Sequence, residues 1–459
     1  MKKWIRGVVL AILAVANTSN GIEQMVPHKI RISENIINVT TVGAMGNGQD
    51  DDTAAVQRAL DLAASTQSSV YFPKGTYMID PAQTLLVQAG TRVFGEGKDS
   101  IIRASTQNFG WELMRITGSG AMVSSLRLDG NHQVNRVLVV GGGVQDVKIT
   151  AVIAESASQA SDPTQEGYAE IVCGIVINGS TNRITIDRSE VRDIVAIHSP
   201  NGSMIARGIY ITTSWQSNET VAQQVSITNS YIHQVGPADD GDGIYYEDPA
   251  MDMQNGVNVN SVISGNLLEN CAKRAMKIYA QGIKINGNHI INSYLNNNIY
   301  QGTQKGTLAP DMYSAISIYG SNNIVFNNVI DGPGSFYAAI EVTAVDTVNN
   351  TIISNNKITM GSKSNTQGTT AIRLGNIHNF TIKNNVLMNG ERGIWAWQDT
   401  DFGVIKDNQI TMKKGGIDLS TYLSGYTQTN IALRGNVIMA GTFDIMLAST
   451  NKNVTVIRA

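Results

Sequence analysis

The densest set of reactive side chains in this sequence is the run Asp239-Asp240-Gly241-Asp242-Gly243-Ile244-Tyr245-Tyr246-Glu247-Asp248. It is followed downstream by Lys273-Arg274-Ala275-Met276-Lys277-Ile278-Tyr279. Hydrolysis of a glycosidic bond needs two carboxyl groups, one kept protonated as acid and one ionised as base or nucleophile. Crowding of carboxylates raises the pKa of at least one, while a neighbouring cation lowers another. The same cluster suits proton abstraction next to a uronate carboxylate, with Lys277, Arg274, Tyr245 or Tyr279 as base or charge neutraliser. Asp239, Asp240 and Asp242 also offer oxygen ligands of the kind Ca²⁺ takes. Asp-Asp-Gly-Asp-Gly is more often a tight turn, so no residue is assigned as a metal ligand.

These segments must be brought together, and a repeat does so. An apolar strand followed by Asn-x-Ile or Asn-x-Leu recurs at Asn266, Asn288, Asn328, Asn356, Asn385, Asn408 and Asn436, in steps of 22, 40, 28, 29, 23 and 28 residues. A period in the twenties with longer insertions marks a solenoid. Short strands and turns within each unit predict an all-β, right-handed parallel β-helix. Stacked asparagines inside its turns satisfy buried polar groups, so the ladder is assigned a structural role.

A second phrase in each unit is a small residue followed by an alternating strand, as in Gly208-Ile209-Tyr210-Ile211-Thr212 and Ala339-Ile340-Glu341-Val342-Thr343. Side chains alternate between faces. With the Ile positions inward, one outward column reads Val176, Tyr210, Tyr245, Lys277, Ser317, Glu341, Arg373, Trp395 and Asp418. The other reads Asn178, Thr212, Glu247, Tyr279, Tyr319, Thr343, Gly375, Trp397 and Ser420. Lys277 then stands beside Tyr245, and Tyr279 beside Glu247, about 5 Å apart. Aromatic platforms mixed with carboxylates and cations suit sugars. Glu247 and Glu341 fall three coils apart, about 14 Å, too far to be a catalytic pair. Glu341, Arg373, Tyr210, Tyr279, Tyr319, Trp395 and Trp397 are therefore assigned to substrate binding. Insertions at residues 155–170 and 293–313, the latter with Tyr294, Tyr300, Asp311 and Tyr313, are expected to wall the groove.

Composition bounds the partners. Lys2, Lys3 and Arg6, an apolar stretch over residues 7–13 and Ala14-Val15-Ala16 fit a secretory signal peptide over residues 1–16. The apolar stretch is far short of the ~20 residues that cross a bilayer. A secreted or periplasmic protein follows, with residues 17–459 as a single β-helix domain. The formal charge moves from −3 to −6 once those three cations are removed. A mildly acidic chain without basic runs argues against nucleic acid. Cys173 and Cys271 fall three coils apart, beyond the ~7 Å a disulfide tolerates, and read as free buried thiols. The histidines show no metal-ligand pattern, and only His233, just ahead of the acidic run, warrants a test.

The N-terminal stretch is more specific. A strand over residues 36–42, the turn Gly43-Ala44-Met45-Gly46-Asn47-Gly48, a helix from Ala54 capped by Asp52 or Thr53, and Val70-Tyr71-Phe72-Pro73-Lys74-Gly75-Thr76-Tyr77 form a cap over about residues 35–80. Together with Thr91-Arg92-Val93-Phe94-Gly95-Glu96-Gly97, this resembles the head of the pectate-lyase-like superfamily, in its rhamnogalacturonase/epimerase-like branch. The resemblance implies a parallel β-helix and a polysaccharide ligand, but fixes no single activity. Of the polygalacturonase-like Asn-Thr-Asp, Asp-Asp, Gly-His-Gly and Arg-Ile-Lys series, only Asp239-Asp240 is similar. Alginate epimerases of this fold carry Asp-Pro-His, where this chain has Asp248-Pro249-Ala250.

The sequence thus predicts a polysaccharide-active enzyme, hydrolysis being preferred to β-elimination or epimerisation. Glu247 and Asp242 are the expected acid/base pair, with Asp240 in reserve and Lys277, Arg274 and Tyr245 positioning groups or stabilising charge. A non-catalytic glycan-binding β-helix is the competing class.

Overall fold

A computed structural model describes residues 35–197, 204–213, 219–253, 255–291, 312–332, 336–342, 346–361, 369–421 and 423–457. The proposed signal peptide and most of the 293–313 insertion lie outside them, including Tyr294, Tyr300 and Asp311; Thr343 does too. Residues 35–459 form one compact unit.

Each coil gives one strand to a 13-stranded sheet and two to a 27-stranded sheet, and every strand pairing is parallel, as at Ile205–Ile211 on Asp240–Glu247. The 27-stranded sheet joins two ladders. The 14-residue strand Gln145–Ser158 links them, pairing with both Asn182–Asp187 and Glu190–Val195 of the next coil. Isoleucines, valines and leucines of all three ladders fill the interior.

The bend between the two ladders explains the asparagine repeat. A residue in the left-handed region precedes each ladder asparagine, as at Gly265, Gly287, Asn327, Asn355 and Asn384, a conformation that Gly and Asn tolerate best. The following asparagine turns inward. Asn288 donates both its backbone N–H and its Nδ2 to Asn328 Oδ1, each at 2.9 Å, and Asn328 Nδ2 reaches Asn356 Oδ1 at 3.0 Å and Ile285 O at 3.0 Å. Ser230 continues the ladder upstream. Asn328→Ala removes one acceptor serving two buried donors. The expected cost is about 3 kcal/mol, read as a lowered urea midpoint.

The cap helix spans Thr53–Thr66, and two local expectations change. Residues 36–42 are a strand only over Ile36–Asn38, continuing as a 3₁₀ turn. Asp52 makes no side-chain cap to the helix; it accepts from the backbone of Met45 and Gly46, while Asp51 takes the Thr53 N–H at 2.9 Å. Glu155 belongs to the long strand rather than to an insertion, buried between Arg127 and Arg192. Cys173 and Cys271 are both free and buried.

Candidate functional site

The 13-stranded sheet carries the predicted columns in register. Tyr210 pairs with Tyr245, Tyr245 with Lys277, Glu247 with Tyr279, Lys277 with Ser317, Ser317 with Glu341, Glu341 with Arg373, Arg373 with Trp395 and Trp395 with Asp418. Residues tens of positions apart become neighbours at one strand spacing.

A third column stands on the same face: Glu112, Arg136, Cys173, Arg207, Asp242, Arg274 and Ser314. Simple alternation back from Tyr210 would turn Arg207 inward. The small residue of the phrase prevents this. A Cβ at Gly208 would lie 2.5 Å from Gly243 O and 2.7 Å from Ile232 Cγ2, so Gly208 and Ile209 both face the core. Arg207 is thereby left outside, 5.0 Å from the Tyr245 ring.

The middle of this column, from Arg207 to Arg274, is a sealed ion cluster. Asp242 is fully buried. Its Oδ2 lies 2.9 Å from Arg207 Nη1 and its Oδ1 3.4 Å from Arg274 Nη1. Asp240 binds Arg207 Nη2 at 2.7 Å, Arg274 Nη1 at 3.0 Å and Lys273 Nζ at 3.3 Å. Burial pushes the Asp240 carboxyl up, but Arg207, Lys273, Arg274 and Lys277 outweigh it and hold it well below the usual carboxylate range. Neither aspartate suits the acid role expected of it. Asp242 has no surface through which to meet substrate, and Asp240 is held ionised. Arg274, committed to both aspartates and to Ser317 Oγ at 3.2 Å, holds the cluster together.

Glu247 stands apart and half-buried. Tyr245 donates to its Oε1 at 2.7 Å, Thr212 to its Oε2 at 3.0 Å, and Tyr210 also donates to Oε2. Burial, and then Glu247, raise both phenols above the ordinary tyrosine value, so they stay protonated. Lys277 Nζ lies 4.3 Å from the Tyr245 ring centroid and 6.0 Å from that of Tyr319, and makes no ion pair among the described residues. Burial lowers its pKa; Asp242 and Asp240 oppose this, Arg207 and Arg274 add to it, and the net shift is downward. Burial over an aromatic floor thus yields a lysine that gives up its proton more readily than usual.

Burial corrects part of the binding assignment. Tyr210, Tyr245, Glu341, Arg373 and Trp395 are all under one-tenth exposed. The Tyr210 and Tyr245 rings stack at 5.4 Å, covering one another. Glu341 and Arg373 pair at 2.8 Å beside the Trp397 ring, 4.2 Å from the guanidinium; they are a buried pair rather than contacts for flanking sugars. Side chains with groove access are Lys277 and the second column: Glu247, Tyr279, Tyr319 and Trp397. A cleft of about 530 Å³ opens beside Tyr210, Thr212 and Asn178, with Glu170 of the first insertion and the adjoining Ile171 on its wall. A second, of about 550 Å³, opens beside Tyr319, Gln281, Asn322 and Asn350. The column from Asn178 through Glu247 and Tyr279 to Tyr319 joins them.

Sequence reasoning missed Asp252, which accepts from the Tyr279 hydroxyl; it sits on the 3₁₀ turn Pro249–Met253, off the strand phase. His233 falls on the other sheet, 3.0 Å from Glu190 and stacked on Tyr231, away from the cluster. No group of three His, Cys, Asp or Glu residues suited to a metal occurs among the described residues.

Residues 36–236, a little under half of the chain, match the profile of the family described as rhamnogalacturonase A/epimerase, pectate lyase-like. The match supports the pectate-lyase-like superfamily for this chain. Among curated relatives, the mannuronan C5-epimerase AlgE2 of Azotobacter vinelandii is 29% identical over 156 residues, 28% of this chain and 15% of that protein. The chain spans about a quarter or less of the length of the curated relatives that head the comparison. Two solved structures superpose over most of it. PfbA, a surface adhesin of Streptococcus pneumoniae, has a TM-score of 0.60 at 17% identity, covering 85% of this chain and 93% of its own. The catalytic unit of a GH87 alpha-1,3-glucanase from Streptomyces thermodiastaticus has a TM-score of 0.54 at 13% identity, covering 92% and 70%. At these identities the likeness concerns the fold.

Proposed function

We propose that this chain is a polysaccharide-active enzyme that removes a proton from the carbon next to a sugar carboxylate, leading to β-elimination or epimerisation. The observation that carries this reading is Lys277: half-buried, without an ion pair among the described residues, lowered in pKa, and placed beside Glu247 and Tyr279 at the groove. Hydrolysis loses ground because the carboxyl meant to partner Glu247 is sealed beneath two arginines. The epimerase activity of a matched relative adds support for carbon-acid chemistry.

In this scheme Lys277 Nζ takes the proton from the sugar carbon. In elimination the electron pair forms a C=C bond and expels the glycosidic oxygen, which takes a proton from Tyr279. In epimerisation a proton from solvent water returns to the carbon from the opposite face. Burial and Asp252 raise the Tyr279 phenol, so it holds its proton until the leaving oxygen needs it. Glu247 fixes Tyr210 and Tyr245, and the Tyr245 ring carries Lys277. Arg207, Asp240, Asp242 and Arg274 set the local charge.

Incubation with oligogalacturonate and oligomannuronate in D₂O tests the scheme. Unsaturated-uronate absorbance, or deuterium at the carbon next to the carboxylate, is the expected result. New reducing ends without either signal return the preference to hydrolysis. Tight retention of glycan with no turnover on any substrate favours the binding-protein class, to which an adhesin of this fold lends its example.

A further inference from the structure

The cleft beside Tyr210 carries a charge that the proton-abstraction site does not use. Arg115 and Arg136 both line it, and both lie near the buried carboxylate of Glu112. Arg115 takes that carboxylate in a two-pronged pair, through Nε at 2.6 Å and through Nη2. Arg136 is left with a long contact of 3.9 Å to the same group. Its guanidinium rests 4.3 Å from the Trp111 ring centroid, and its Nε is buried with no hydrogen-bond partner. A guanidinium is always charged, and its fork matches a carboxylate. A planar cation held against an indole, 21% exposed and lining a cleft, is organised in advance for an anion.

We propose that this cleft is a subsite for a carboxylate-bearing sugar unit, with Arg136 as the residue that recognises the carboxylate. Tyr210 and Thr212 line the cleft and also donate to Glu247, so a chain seated here continues directly into the reactive site. Arg136 and Asp242 stand three strand spacings apart, about 14 Å, which separates this contact from the reacting sugar. Glu170 and Glu219 on the wall supply acceptors for sugar hydroxyls, and Val176 with Ile171 gives an apolar surface. The proposal rests on reading this face as a glycan groove and adds that the glycan is acidic beyond the unit that reacts.

Calorimetric titration of the whole chain with oligogalacturonate and oligomannuronate, and with their methyl esters, tests it. The acidic oligomers are expected to bind about tenfold more tightly than the esters, with affinity falling as salt rises. Arg136→Gln should abolish that difference and flatten the salt dependence. Arg136→Lys should restore part of it, since it keeps the charge without the fork. Three results overturn the proposal: acid and ester binding alike to the unaltered protein, neither acid binding, or Arg136→Gln leaving acid binding intact. A thermal melt of each variant excludes unfolding as the cause. Because binding is read without turnover, preferential binding of acids that are never turned over would sink the proton-abstraction scheme and leave this subsite standing.

Discussion

Replacing Lys277 with Met lowers turnover of an acidic glycan by about 10²- to 10⁴-fold while leaving glycan affinity and the melting transition close to those of the parent. The side chain sits half-buried on the Tyr245 ring and holds no ion pair among the described residues, so its removal unseats no partner. Lys277→Arg should fare no better, because a guanidinium keeps its proton at any working pH. The unaltered enzyme should show a rate that rises with pH through the Lys277 ionisation, below the ordinary lysine range, and then levels. That rise belongs to the neutral amine, the form able to accept a proton. A Lys277→Met variant with undiminished turnover would remove the base from the scheme.

The second large effect is on stability. Arg207→Met should cost about 3–5 kcal/mol, measured by urea unfolding, because Asp242 is fully buried and Arg207 is its shorter ion pair. The sign of the pH dependence follows from Asp240. Its folded pKa lies below the unfolded value of ~3.9, so its contribution is present above that value and is lost as pH falls through the folded one. Removing Arg207 raises the folded pKa, and acid unfolding should begin at a higher pH. Arg207 also depresses Lys277. Its loss should therefore move the acid limb of the rate profile upward, tying a stability residue to the chemistry. An unchanged acid limb would show that Lys277 does not titrate in the rate.

The register of the site was open to reading from sequence because one inward isoleucine per strand fixes the phase of its neighbours. Tyr210, Tyr245 and Lys277 fall into a column once Ile209, Ile244 and Met276 point inward. The asparagine ladder was legible for a similar reason, its residues being both unlike their neighbours and regularly spaced. Exposure was not legible. Alternation tells which side of a sheet a residue takes, whereas Tyr210, Glu341, Arg373 and Trp395 are covered on the outer side. Sequence brought Arg207, Asp242 and Arg274 into one neighbourhood, but their shared outward phase was hidden by the small residue after each, Gly208, Gly243 and Ala275, where two successive residues turn inward. Arg136 and Glu112 lie on coils upstream of the clear repeats, where no recurring phrase marks their phase, and Asp252 lies on a turn outside the strand period. The head over residues 36–80 announced the superfamily, since its turns need particular glycines. Gly46, at φ +60° against the Tyr77 ring, is one of them.

A structure of the Lys277→Met variant with a bound acidic oligosaccharide addresses the whole account. It should place the sugar chain along Asn178, Thr212, Glu247, Tyr279 and Tyr319, with a carboxylate-bearing carbon facing position 277. A chain bound instead to the 27-stranded sheet, or one whose sugars pass out of reach of Tyr279 and position 277, would contradict it.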